Sequence, residues 1–407
     1  MYLTFAWRYF NAKKTTNAIN VIAWVSMIAI VVITAAFIVL LSVFNGFEGL
    51  VKSLYSTFYT DLRIIPATGK VLTMDPALTS RIRSLKEIKN FSFVVEEEAL
   101  LQNADITTPV IMKGVDSNYE QVTGVADKVI RGGFLLGTVD EPAIVLGSGI
   151  ENALAVETDR NIYPITAYMF RRGININVVD PFQAFAASNM ATSGTFFIQQ
   201  DLDNKYAITN LDFVKLMMKM KENEYGSMEI ALTDPDRSET VKEQLQEIVG
   251  KNYKVQTRYE QNQSLYSVMT LEKWAIYGVL TLMLIVATFT MVGALTMLVL
   301  EKQKDIQVLK AMGAGQSLVQ KIFLSEGLLL ALIGTASGML LALLICWAQV
   351  KFDLIPIQGG TFLIDHYPVT MQPFDFLIVF ITVTVIAFTA SWFPSRKAGL
   401  QPIELKS

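Results

Sequence analysis

Four long apolar segments around one long polar segment predict a membrane α-helical protein. It has four transmembrane helices in a 1+3 arrangement, with a large α+β domain inserted between the first and second. The spacing carries most of this. Residues 21–44 form one apolar run, residues 45–272 are mostly polar, and three more runs follow at 274–300, 322–350 and 374–393. Crossing a hydrocarbon core takes roughly 20 residues of helix. Composition agrees: 52% of the 407 residues are hydrophobic and 17% charged, with mean hydropathy +0.39. Those values suit a membrane protein with a substantial soluble part.

The distribution of basic residues sets the orientation. Arg8, Lys13 and Lys14 precede the first run, Lys302, Lys304, Lys310 and Lys321 follow the second, and Arg396, Lys397 and Lys406 follow the fourth. The 351–373 loop carries only Lys351, beside Asp353 and Asp365. Both termini and the 301–321 segment are therefore expected on the cytoplasmic side, and 45–272 outside. The first run exceeds the apolar core of a signal peptide, about 7–15 residues, and reads as a retained helix. Net charge of −3 gives no case for nucleic acid, and the one cysteine, Cys346, allows no intrachain disulfide.

Residues 1–20 mix Trp7, Tyr9 and Phe10 with Arg8, Lys13 and Lys14, which suits an interfacial amphipathic helix or an aromatic belt. In the outer domain, residues 61–66, 91–101 and 108–115 read as strands. Residues 76–89 read as a helix capped by Asp75. Glycines at 132, 133, 137, 147 and 149 mark a turn-rich stretch, with a short helix from 151. Strands are expected at 207–208, 228–232 and 253–255, and helices at 211–221 and 237–249. The early and late β-α-β alternation suggests two lobes built from distant segments.

Between them, 168–194 is apolar without a clean period. Met169, Phe170, Arg171, Arg172, Pro181, Phe182 and Phe185 mark it as an edge hairpin or as a protruding partner-docking loop.

The chain carries no catalytic motif: its only histidine is His366, and no phosphate loop or metal-ligand spacing is present. No catalytic and no metal-binding residue is expected, nor a directly bound cofactor. The informative cytoplasmic segment is 301–314. Ile306, Leu309 and Met312 recur at i, i+3, i+6 beside Val308, flanked by Glu301, Lys302 and Asp305, with Gly313 as a helix stop. Such a stripe fits a groove on a soluble partner, or lies on the membrane. Within the third run, Gly334 and Gly338 offer a close helix contact. Glu326 is an intramembrane acid with a functional or a structural role.

These residues resemble the FtsX/MacB-like ABC-transporter permeases, most closely the lipoprotein-releasing branch. The resemblance rests on Trp7-Arg8-Tyr9-Phe10, on Leu41-Ser42-Val43-Phe44-Asn45-Gly46-Phe47-Glu48, and on the Glu-Lys pairs at 272–273 and 301–302. It rests also on Asp305–Ala314, which resembles the family's coupling segment, on Leu146-Gly147-Ser148-Gly149, and on the tail from Phe393 to Glu404. The resemblance implies a non-catalytic inner-membrane subunit with a periplasmic domain at 45–272. ATP and Mg would be used by two copies of a separate ATPase subunit. A second permease or identical copy, a periplasmic lipoprotein carrier and a lipidated protein substrate are the further partners implied, the carrier docking on a hook loop near 168–194. The alternative is a related permease that drives an envelope hydrolase or an efflux partner.

Overall fold

A computed structural model describes residues 17–159, 164–171, 185–356 and 366–401. They form two compact units, divided within the helices after Leu50 and before Ser267. Most of the expected 1–20 helix, and Pro402 to Glu404 of the tail, lie outside the described residues.

The first unit is helical. Four helices, Asn17–Phe58, Gln263–Glu301, Gln316–Phe352 and Pro373–Leu400, contain stretches long and apolar enough to cross a membrane. One precedes the outer domain in the chain and three follow it. Their shared core includes Ile30, Phe37, Leu284, Met291, Leu330 and Val383. Their outward faces are also apolar, with Ile28, Val32, Leu282, Val286, Leu344 and Ile381 exposed. A helix that is hydrophobic all round belongs in a large core or in lipid.

The first helix is much longer than its apolar run. At 42 residues it spans about 60 Å, twice a hydrocarbon core. It does not stop at Asn45-Gly46, because Val51, Leu54, Tyr55 and Phe58 continue a helical period, and Tyr55 and Phe58 are buried.

The second unit contains twelve strands among the described residues. They are β1 (Leu62–Pro66), β2 (Leu72–Thr73), β3 (Ile88–Asn103), β4 (Ile106–Val115), β5 (Val129–Gly132), β6 (Ala143–Gly147), β7 (Ile165–Phe170), β8 (Phe185–Phe196), β9 (Tyr206–Asn210), β10 (Glu224–Tyr225), β11 (Ser227–Leu232) and β12 (Tyr253–Thr257). β2 and β10 form a separate ribbon, and the other ten share one sheet. Six strands close on themselves in the order β3-β4-β9-β6-β8-β7, with β7 pairing back onto β3. The enclosed core includes Leu101, Met112, Leu146, Ile165, Met169 and Ala207. Burying an aliphatic side chain of this size contributes about 1.5–3 kcal/mol.

A second core, under β1, β11 and β12, is covered by helices Pro76–Arg83 and Ser238–Val249 through Ile82, Val241 and Leu245. β3 serves both cores: its first half pairs with β11 and its second with β7. The two lobes thus share one strand.

Several expectations shift. The helix predicted over 76–89 ends at Arg83, and Asp75 caps it by accepting from Ala77 N. Leu85 and Ile88 still pack on that core, but from a turn and from β3. The glycine-rich stretch contains β6, buried along most of its length. The hairpin expected within 168–194 is present in its described residues, but not at a sheet edge. β7 and β8 pair antiparallel, Ile165 with Met190 through Phe170 with Phe185, and each has a second partner strand. β8 escapes detection because it is built largely from Ala, Ser, Thr and Gly and carries a register shift.

Candidate functional site

The 303–311 helix (Gln303–Ala311) ends in a left-handed Gly313 at φ +92°. Gly313 N donates to Lys310 O and Ala314 N to Leu309 O, which completes a glycine cap. At about 100° per residue, positions 306 and 312 lie about 120° apart, so an i, i+3, i+6 stripe cannot stay on one face. The structure splits it. Ile306 is 1% exposed and packs with Leu298, Val299, Val319, Phe323 and Ala398 of the three flanking helices. Met312 is 80% exposed and Val308, one turn before it, 59%. Leu309 lies between these extremes.

Lys310 adds a polar tie. Its Nζ donates to Gly399 O at 2.8 Å and to Gln401 O at 2.5 Å, at the end of helix Pro373–Leu400. A cation there also meets the negative end of the helix dipole. Lys302 pairs with Asp305 at 3.2 Å, a surface pair of small energy. Glu301 is half-buried at the end of the preceding helix.

Higher in the bundle, Glu326 is 2% exposed and so faces the protein interior. A Cβ on Gly338 would meet Val31 O at 2.7 Å, and one on Gly334 would meet Ile30 Cγ2 at 3.0 Å. These two positions set how closely helix Gln316–Phe352 approaches the first helix.

At the other end of this unit, Asn45 joins three helices. Its Nδ2 donates to Asp375 Oδ2 at 2.5 Å, and its Oδ1 accepts from Lys273 Nζ at 2.8 Å. Asn45 and Asp375 are buried. A Cβ on Gly46 would fall on the Pro368 carbonyl. The Asn-Gly pair is therefore required by packing inside a continuing helix.

In the outer unit, four charges converge. Lys113 Nζ lies 2.8 Å from Glu229 Oε1 and 3.2 Å from Glu96 Oε1, and Arg63 lies 2.9 Å from Glu96 Oε2. Lys113 also sits over the rings of Phe58 and Tyr119, at 4.6 and 5.1 Å. Burial alone would raise the Glu96 carboxyl, but the two cations outweigh it and hold Glu96 at about 2. The Glu229 and Glu96 carboxylates keep the fully buried Lys113 charged, well above the usual lysine range. Sequence reasoning missed this cluster. Its signal is one charge in the middle of each of two apolar strands, Lys113 in β4 and Glu229 in β11.

The partner-docking candidates divide. Met169 is fully buried inside the closed sheet, whereas Phe170 is 46% exposed and its ring lies 4.2 Å from that of Phe185. Arg171 is half-buried; Arg172, Pro181 and Phe182 lie outside the described residues. Beside Phe170 and Phe185, Leu100, Pro109, Ile111 and Tyr168 line an open groove of about 360 Å³. Among the described residues no three His, Cys, Asp or Glu side chains converge as metal ligands would.

Four helices able to cross a membrane, with a large mixed-sheet domain between the first two in the chain, give the plan of a membrane protein with a large extramembrane domain. Sequence comparison agrees: residues 23–248 match the MacB-like periplasmic core domain, and residues 277–403 the FtsX-like permease C-terminal family. The chain belongs to this FtsX/MacB-like permease family.

It is similar over nearly its whole length to curated relatives. The lipoprotein-releasing system transmembrane protein LolC of Neisseria meningitidis serogroup B is 27% identical, over 98% of this chain and 96% of that one. LolE of Haemophilus influenzae is 26% identical, over 99% and 98%. LolC of Xylella fastidiosa is 23% identical, over 98% and 96%. Among solved structures, the periplasmic region of MacB from Actinobacillus actinomycetemcomitans is 13% identical, covers 52% of this chain and 94% of that one, and gives a TM-score of 0.36.

Proposed function

We propose that the chain is the membrane permease subunit of an ATP-driven lipoprotein-releasing complex in the inner membrane. Its four apolar helices cross the bilayer in the 1+3 order, both termini and the 301–321 segment face the cytoplasm, and the outer domain is periplasmic. The basic residues at 302, 304, 310 and 321 support this orientation.

The observation that carries the reading is the two-sided 303–311 helix. One side, through Ile306 and Lys310, is fixed to the helices on either side of it and to the end of the last. The other side presents Val308 and Met312 to the outside, a short apolar anchor of the kind a groove accepts. A separate ATPase subunit, in two copies, engages that side. Its ATP-driven motion reaches three helices together and is transmitted to the periplasmic domain. A second permease, or a second copy of this chain, completes the complex. The near-full-length similarity to LolC and LolE supports lipoproteins as the substrate.

Withdrawing an acyl chain from lipid costs about 0.8 kcal/mol per methylene, so extraction needs an external energy source. A periplasmic carrier then takes the lipoprotein, and the β7–β8 hairpin is the docking candidate.

The test is co-purification of the chain with an ATPase subunit, followed by ATP-dependent transfer of a lipoprotein from proteoliposomes to a soluble carrier. Transfer that proceeds equally without ATP would refute the reading.

A further inference from the structure

Within the outer unit, the chain passes from long helix to sheet just after Phe58 and from sheet back to long helix just before Gln263. We propose that Arg258 is a positioning residue that clamps these two segments together, so that the domain's two ends follow the membrane helices as one body. This rests on the transmission reading above.

Four hydrogen bonds cross the joint. Arg258 Nε donates to Tyr59 O at 3.0 Å, and its Nη2 donates to Asp61 Oδ1 at 2.6 Å. Its backbone N donates to Asp61 O at 3.2 Å. Gln261 Nε2 donates to Thr60 O at 2.9 Å. Three consecutive residues just past the first long helix are thus held from one short segment of chain. Both sides are anchored in turn. Asp61 Oδ2 accepts from Leu232 N of β11 at 2.8 Å. Thr257 and Glu260 form a capping box, and Glu260 pairs with Lys242 of helix Ser238–Val249 at 2.8 Å.

The sheet itself ends one step earlier. β1 and β12 pair from Leu62–Thr257 to Pro66–Tyr253. Past Leu62 and Thr257, one backbone bond, from Arg258 N to Asp61 O, continues the ladder, and the side chains of Arg258 and Gln261 make the rest of the joint. A planar guanidinium suits the task, because its separate Nε and Nη2 donors reach a carbonyl and a carboxylate in fixed directions, whereas a lysine presents a single nitrogen. Removing Arg258 leaves every β1–β12 pair in place, so the domain is expected to stay folded while its ends separate.

The experiment uses the full-length chain in its membrane complex with Cys346→Ser, carrying spin labels at the exposed positions Ser53→Cys and Gln263→Cys. The unmodified clamp should give one narrow distance, with and without ATP. Arg258→Ala should broaden it and lower lipoprotein release per ATP about tenfold, the scale of one lost charge-assisted hydrogen bond, with the thermal midpoint kept. Arg258→Lys should fall between. Gln261→Ala, a milder change, should broaden the distance slightly and serves if Arg258→Ala fails to fold. An unchanged narrow distance and full release in Arg258→Ala would overturn the clamp. A broadened distance in a complex that never releases lipoprotein would uphold the clamp and refute the transport reading.

Discussion

Lys113 shows how much single residues carry here. Its ammonium is buried between Glu96 and Glu229, so Lys113→Ala leaves Glu229 buried with its nearest cation gone. Such a break costs about 3–5 kcal/mol, and the outer domain should unfold well below the wild-type midpoint in a thermal scan. The same cluster sets the acid response. Glu96 sits at about 2 in the fold against an ordinary 4.5, so its stabilising contribution is complete above pH 4.5 and is lost as pH falls toward 2. The loss is on the order of 3 kcal/mol. Asp203 works in the opposite sense, because burial raises it from 3.8 to about 6. Its ionisation opposes folding, so lowering the pH from 6 toward 4 should stabilise the domain. Hydrogen exchange of β3 amides in the full-length chain should therefore be slowest near pH 4–5, after correction for intrinsic rates. A monotonic loss of protection from pH 7 downward would contradict the Asp203 assignment, and unchanged protection from pH 4.5 to 2 would contradict the Glu96 assignment. At the other unit, Met312→Asp should abolish ATPase-subunit binding and leave the chain inserted and folded. Ile306→Asp should destabilise the helical unit itself, because it places a charge among Leu298, Val319 and Phe323. Pull-down and thermal melting of the two variants separate these outcomes.

At the scale of elements, legibility followed chemistry. The apolar runs announced the four helices, since nothing else in water or lipid sustains 20 apolar residues. Their true ends did not show, because residues 45–58 change from an all-round apolar surface to a one-sided one within a single helix. The Asp75 cap was legible, since its side chain acts locally. The stop at Arg83 was not, since Leu85 and Ile88 keep the apolar spacing while leaving the helix. β8 stayed hidden because closure of the sheet, a long-range event, makes small residues suffice along it. The close approach of the first and third apolar helices was hinted at by Gly334 and Gly338, but not which helix they meet. Gly338→Leu should push the Val31–Thr34 stretch away and cost at least 1–3 kcal/mol of overpacking. Reduced yield and a lowered melting point of the detergent-solubilised chain check this; an unchanged melting point would place the contact elsewhere.

For the whole molecule, the 1+3 order puts the outer domain in covalent series with the first two apolar helices, and the 303–311 helix at the far end of the second. Asn45, bonded to Lys273 and Asp375, ties three helices at one end of the helical unit. Ile306 and Lys310 tie three at the other. Under the proposed function, that connectivity would carry a push at the 303–311 helix toward the outer domain, and the sequence disclosed its ends better than its linkages. Asn45 was visible in a motif, yet its two partners lie 228 and 330 positions away, beyond any local pattern. The most direct measurement reconstitutes the chain with its ATPase subunit in proteoliposomes and follows a fluorescent lipoprotein passing to a soluble carrier. Transfer should require ATP and should stop in Met312→Asp while the complex's membrane unit stays folded. Transfer that persists in Met312→Asp at the wild-type rate per ATP would contradict the proposed function.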